Sequence, residues 1–95
     1  MMDDYPTKKQ LKVIKNWDAT DFDGLMEYLK SVWHWPEYVT QVGKEYHLST
    51  GGWSGNEDII YALSKNYMFW ALYWSHSRRG GHYVFEARAA LEGER

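Results

Sequence analysis

The chain has no cysteine among its 95 residues. That excludes a disulfide framework, a thiol nucleophile and a thiolate-ligated zinc site. It also fits a reducing compartment. Long apolar runs are missing: no stretch approaches the roughly 18 residues that a membrane span requires. The first residues, Met1-Met2-Asp3-Asp4, are acidic and lack the basic-then-apolar order of a signal peptide. Proline is scarce, and both copies, Pro6 and Pro36, stand at borders between periodic segments. A strong charge of either sign is missing too. At a net charge of −2 there is no global electrostatic pull toward nucleic acid. These absences leave one small cytoplasmic-type domain over residues 1–95, with residues 1–6 and 89–95 expected to fray.

What the chain has in excess is aromatic surface: six Trp, eight Tyr and three Phe. A domain of this size buries a smaller fraction of its surface than a larger one. Each buried ring removes roughly 150–250 Å² from water, so a few rings can replace many aliphatic side chains. The number exceeds what a small core needs. Some rings must therefore lie at the surface, where they can stack on a ligand or a partner.

The periodicities divide the chain without internal repeats. Thr7-Lys8-Lys9-Gln10 has the form of a capping box. Leu11, Ile14 and Trp17 then keep helical spacing, while Lys8, Lys9, Lys12 and Lys15 stay wet. A second helix opens at Thr20-Asp21-Phe22-Asp23, with acids favourably placed at its start. Phe22, Leu25, Met26, Leu29, Val32 and Trp33 form its apolar stripe, and Pro36 ends it. Tyr38–Val42 and Glu45–Thr50 flank Gly43-Lys44 as a β-hairpin, with Tyr46 and Leu48 on one face. Ser54-Gly55-Asn56-Glu57 has the form of a second capping box. It begins a third helix that turns Ile59, Ile60 and Leu63 inward, with Asn66 as a left-handed stop. Tyr67–His76 alternates like a central strand, Ser77–Gly81 forms a turn, and His82–Arg88 returns as a strand. The expected fold is α+β in the order ααββαββ. Its four-stranded sheet is mixed or antiparallel, with helices mainly on one face.

A functional edge follows if the strands on either side of the third helix run parallel. The loop Thr50–Asn56 and the turn Ser77–His82 would then meet at one end of the sheet, where ligands favour the carboxyl ends of strands. An all-antiparallel order would separate them. The candidate residues are Gly51, Gly52, Trp53, Ser54, Asn56, Arg78, Arg79 and His82. Glycines allow close backbone approach, a helix start offers N–H groups, arginine grips phosphate or carboxylate, and Trp53 can stack on a ring. Against this, glycine pairs commonly just turn the chain and a serine commonly just caps. Glu57 and Asp58 would also repel an anion at that helix start. Neither loop matches a phosphate-binding fingerprint.

Catalytic patterns are weaker. Gly52-Trp53-Ser54-Gly55-Asn56 lacks the final glycine of a nucleophile elbow. His34, His47, His76 and His82 have no metal-ligand spacing, so neither a metal nor a cofactor is expected. His82, beside Arg79, reads as a turn residue or a ligand contact. The acids at 21, 23 and 27 read as a solvated helix face, and Trp70, Tyr73, Trp74 and Tyr83 as mainly core.

Ser49–Ile60, Met68-Phe69-Trp70 and Ser77–Tyr83 together resemble a family of small uncharacterised proteins encoded by bacteriophages and prophages. The resemblance spans about residues 32–86. It implies the cytoplasm of an infected bacterium and transfers no catalytic residue. In that setting the first expectation is a non-enzymatic accessory protein. It would bind an anionic small molecule, such as a nucleotide, or a host or defence protein at the glycine–arginine edge. The alternatives are a nucleic-acid-binding protein, using Arg78, Arg79 and the lysines of the first helix, and a small enzyme on a phosphorylated substrate with His82 as acid/base. The second face of the sheet would allow a dimer. No membrane partner is expected.

Overall fold

A computed structural model describes residues 5–87. The first helix, α1 (Lys8–Lys15), starts with the expected reciprocal cap. The Thr7 hydroxyl accepts the Gln10 N–H at 3.0 Å, and the Gln10 amide oxygen accepts the Thr7 N–H at 2.9 Å. Helix α2 (Phe22–Val32) is capped by Asp21, whose carboxylate accepts the Gly24 N–H at 3.1 Å. It buries Phe22, Leu25, Met26 and Leu29, the stripe read from its spacing. A 3₁₀ turn (Pro36–Tyr38) then leads into the hairpin of β1 (Val39–Val42) and β2 (Glu45–Ser49).

Helix α3 (Ser54–Ser64) differs from its expected cap. Trp53 occupies the N-cap position without a side-chain hydrogen bond, and Ser54 is the first helical residue. The Ser54 hydroxyl is instead 2.6 Å from the Tyr5 hydroxyl, which ties the start of α3 to the segment before α1.

A larger departure follows. Tyr67–His76 is not one strand but helix α4 (Tyr67–Tyr73) followed by β3 (Trp74–Arg78). Asn66 is its N-cap, with φ −85°, and not a left-handed stop. Its amide oxygen accepts the Phe69 N–H at 3.3 Å, while its amide N–H groups donate to the Ile14 and Trp17 carbonyls at 3.2 and 3.0 Å. Alternation and helical spacing compete in this aromatic run. The helix places Phe69 and Tyr73 one turn apart in the core and stacks Trp70 on Trp74, with ring centroids 5.9 Å apart. The last strand is β4 (His82–Glu86).

The sheet is antiparallel throughout, in the order β1-β2-β4-β3. Strands β2 and β3 therefore point the same way, but β4 lies between them. The helices pack on one face. Phe22 meets Tyr46 at 5.5 Å, and Trp70 meets Phe85 at 5.4 Å and Tyr83 at 6.4 Å. The other face carries two adjacent cross-strand rows: His47, Val84 and His76, then Ser49, His82 and Arg78. Val84 is fully buried yet stands outside the hydrophobic cluster, with His47 and His76 as its cross-strand neighbours. No helix among the described residues is long and apolar enough to cross a membrane.

Asn66→Ala removes a cap worth about 1 kcal/mol and leaves buried carbonyls unpaired at about 1–3 kcal/mol. The expected loss is about 2–4 kcal/mol by urea unfolding. Tyr67→Ala, at a side chain 70 % exposed, should stay within about 0.5 kcal/mol of wild type.

Candidate functional site

The two glycine loops do meet, by a route different from the parallel crossover. Because β4 pairs with β2, Ser49 lies opposite His82. The contact continues past the strand ends, where the Thr50 N–H donates to the Gly81 carbonyl at 2.9 Å. Gly81 has φ +81°, and a Cβ there would run into the buried Thr50 hydroxyl. Glycine is needed at 81 on both counts. An antiparallel ladder thus brings together what the parallel argument expected it to separate.

Thr50 and its neighbours form a buried polar knot. The Asn56 side chain is fully buried. Its amide oxygen accepts the His34 N–H at 2.9 Å, and its amide nitrogen donates to the carbonyls of His34 at 2.9 Å and Thr50 at 3.3 Å. The Trp33 indole N–H donates to the Ser49 carbonyl at 3.0 Å. Asn56 therefore serves the fold: its polar atoms are turned to backbone rather than to a ligand.

Around this knot runs a ladder of rings. Tyr5 lies 4.7 Å from Trp53, Trp53 4.4 Å from His34, His34 4.3 Å from Trp35, and Trp35 5.5 Å from Tyr38. Trp53 is half-buried within the ladder, and Ser54 is exposed beside Tyr5. Gly51 passes directly under the rings of Trp35 and Tyr38, with φ +64°, and Gly52 beside it is open. Trp35 is the one non-glycine residue with positive φ among those described, at +67°. A bulky side chain is disfavoured there, and more so before Pro36. The strain is of the order of 1–3 kcal/mol, the kind that persists when surrounding packing imposes it. Trp35 and Tyr38 remain exposed. An open cleft of about 470 Å³ adjoins the ladder, with Tyr5, Thr7, Gln10, His34 and Trp35 among its walls.

The arginine turn completes this end of the molecule. Arg78 and Arg79 are exposed, and Arg78 sits opposite His82 in the ladder. His82 is half-buried, with its Nε2 3.3 Å from His47 Nδ1. His47 Nε2 in turn lies 3.0 Å from the Glu45 carboxylate. Glu45, His47 and His82 thus form a continuous chain of side chains across β2 and β4. Burial first, then repulsion from His47, Arg78 and His76, lowers the pKa of His82 below the ordinary imidazole value. It is therefore neutral at neutral pH. No group of three or more histidine or acidic side chains among the described residues is arranged to hold a metal ion.

The structure joins the loop of Gly51 and Gly52 to the turn of Arg78, Arg79 and His82 through the Ser49–His82 pairing and the Thr50–Gly81 hydrogen bond, and it turns Trp53 and Ser54 toward Tyr5 and His34. Sequence reasoning placed all seven at one edge. It missed Tyr5, His34, Trp35 and Tyr38, and it missed the Glu45–His47–His82 chain. The density of Trp33-His34-Trp35-Pro36 was the available signal for the first group. The alternation of Glu45 and His47 on one strand face was the signal for the second. The lysines of α1 lie elsewhere: Lys12 and Lys15 border a groove with Tyr61 and Lys65 in the helical layer.

The lowered His82 value has a consequence for stability. Below about pH 6.5 the unfolded chain binds a proton at this position that the native state resists. Stability contributed by the neutral imidazole is present above that pH and is lost as the pH falls toward the lower native value. Urea midpoints should drop between pH 7 and 5.5, and His82→Gln should flatten part of that drop. No family model, no curated protein and no solved structure matches this chain.

Proposed function

We propose that the chain acts by binding, and that its ligand is anionic and carries an aromatic ring, as a nucleotide does. The observation that carries this reading is the hydrogen bond from Thr50 to the Gly81 carbonyl. It holds an arginine-bearing turn against the loop that passes beneath Trp35 and Tyr38. Guanidinium groups suit phosphate, and exposed rings suit a base. The positive-φ glycines at 51, 52, 80 and 81 leave backbone without side chains between the two. The strained Trp35 supports the same reading, since backbone outliers gather at binding sites. The resemblance to phage-encoded proteins favours a bacterial cytoplasm as the setting.

Thermal-shift titration against nucleotides, cyclic dinucleotides and short oligonucleotides tests this. At about 100 times its dissociation constant a ligand adds roughly 2.7 kcal/mol, several degrees or more for a domain of this size. The expected result is a shift that the double variant Arg78→Ala, Arg79→Ala abolishes and that Trp35→Ala reduces. A shift unchanged in the double variant would overturn the assignment of the edge. No shift with any anion would transfer the function to a host protein partner.

A further inference from the structure

We propose that the open face of the sheet cleaves RNA by internal transesterification. His82 takes the proton of a ribose 2′-hydroxyl, Arg78 holds the scissile phosphate, and His76 returns a proton to the departing 5′-oxygen. The inference rests on the nucleotide-binding reading above and names its substrate class. It adds an activity that binding alone does not require.

The chemistry asks little of a protein. The nucleophile is the substrate's own 2′-oxygen. As the O2′–P bond forms the P–O5′ bond breaks, so one proton leaves and one is supplied. The products are a 2′,3′-cyclic phosphate and a 5′-hydroxyl end, and no co-reactant is consumed. The protein must provide a base, an acid and a cation for the phosphorane charge.

This face carries all three around one residue. His82 and Arg78 are direct cross-strand partners. His47 and His76 flank Val84, two residues along β4 on the same face, so both are diagonal neighbours of His82. Repulsion from both imidazoles and from Arg78 reaches His82. The base has a direction. His47 Nε2 lies 3.0 Å from the Glu45 carboxylate, and its Nδ1 lies 3.3 Å from His82 Nε2. His82 Nδ1 is then the nitrogen left to take a proton. The imidazolium formed keeps its Nε2–H on His47, backed by the Glu45 carboxylate, which is how a carboxylate supports a catalytic histidine elsewhere. Glu45 and His47 are positioning residues here. The remaining charged group on this face of β4 is Glu86, in the next row beside Glu45.

The face is also accessible. The side chains of Glu45 and His47 are 40 % and 25 % exposed, and the helices pack on the opposite side.

The test uses three labelled oligomers of one mixed sequence: RNA, 2′-O-methyl RNA and DNA, all with EDTA. The expected result is cleavage of RNA alone, with a 2′,3′-cyclic phosphate end identified by mass. His82→Ala and His76→Ala, purified in parallel, should each slow cleavage by about 10²- to 10⁴-fold while still binding the 2′-O-methyl oligomer. That binding shows that the variants fold. The rate should fall on the acid side as His82 protonates. Glu45→Gln should move the acid limb to lower pH, a change a purely structural carboxylate would not cause. RNA that is bound but left intact would overturn the activity and spare the binding reading. Cleavage at the wild-type rate by His82→Ala would overturn it equally. Failure to bind any of the three would count against the binding reading itself.

Discussion

The buried amide of Asn56 joins parts of the chain that are far apart in sequence. Its hydrogen bonds take in the backbone at His34, where α2 has ended, and at Thr50, where β2 has ended. Asn56 itself lies in the first turn of α3, and Thr50 bonds onward to Gly81 at the mouth of β4. A helix exit, a strand exit, a helix entry and a hairpin tip are thus held by one side chain and its neighbour. An isolated buried amide would be costly, and a fully satisfied one fixes geometry. Asn66 does the same at the other end of α3, tying that junction to the C-terminus of α1. With Tyr5 bonded to Ser54, α1 and α3 run side by side in the same direction, pinned at both ends.

The consequence for function is a division of labour between the two faces of a thin sheet. Phe22, Phe69, Tyr73 and Phe85 fill one side with rings and aliphatics. That packing frees the other side from structural duty and lets it carry Glu45, His47, His76, Arg78 and His82. Such a row of polar groups would be intolerable under a helix. The edge where both faces end is the glycine–arginine–aromatic rim. There the Trp35 backbone strain is held by Gly51 beneath it and by the Tyr38 N–H on its carbonyl at 2.8 Å.

Much of this was legible as local pattern. The Thr7 cap, the α2 stripe, the Gly43-Lys44 turn and strands β1, β2 and β4 follow from short-range rules, because caps and amphipathic spacing act within a few residues. The 67–73 segment was not legible. Its aromatics satisfy period two and period 3.6 alike, and what decided for helix was Asn66 reaching two carbonyls 49 and 52 residues away in the chain. Ser54 shows a milder form of the same difficulty. Its motif suits a cap, but Trp53 takes that place, held between the tilted rings of Tyr5 and His34.

The sequence by itself determined α1, α2, the first hairpin, α3 and the chemical character of the two loops, since these depend on neighbours along the chain. Only the tertiary structure decided that β4 pairs with β2. That single pairing set Ser49 against His82 and Thr50 against Gly81, and it brought His47 within 3.3 Å of His82. Strand order is chosen by contacts between residues more than thirty apart, where one-dimensional periodicity carries no information. The functional groups of this protein were readable as residues, and their meeting was a property of the fold.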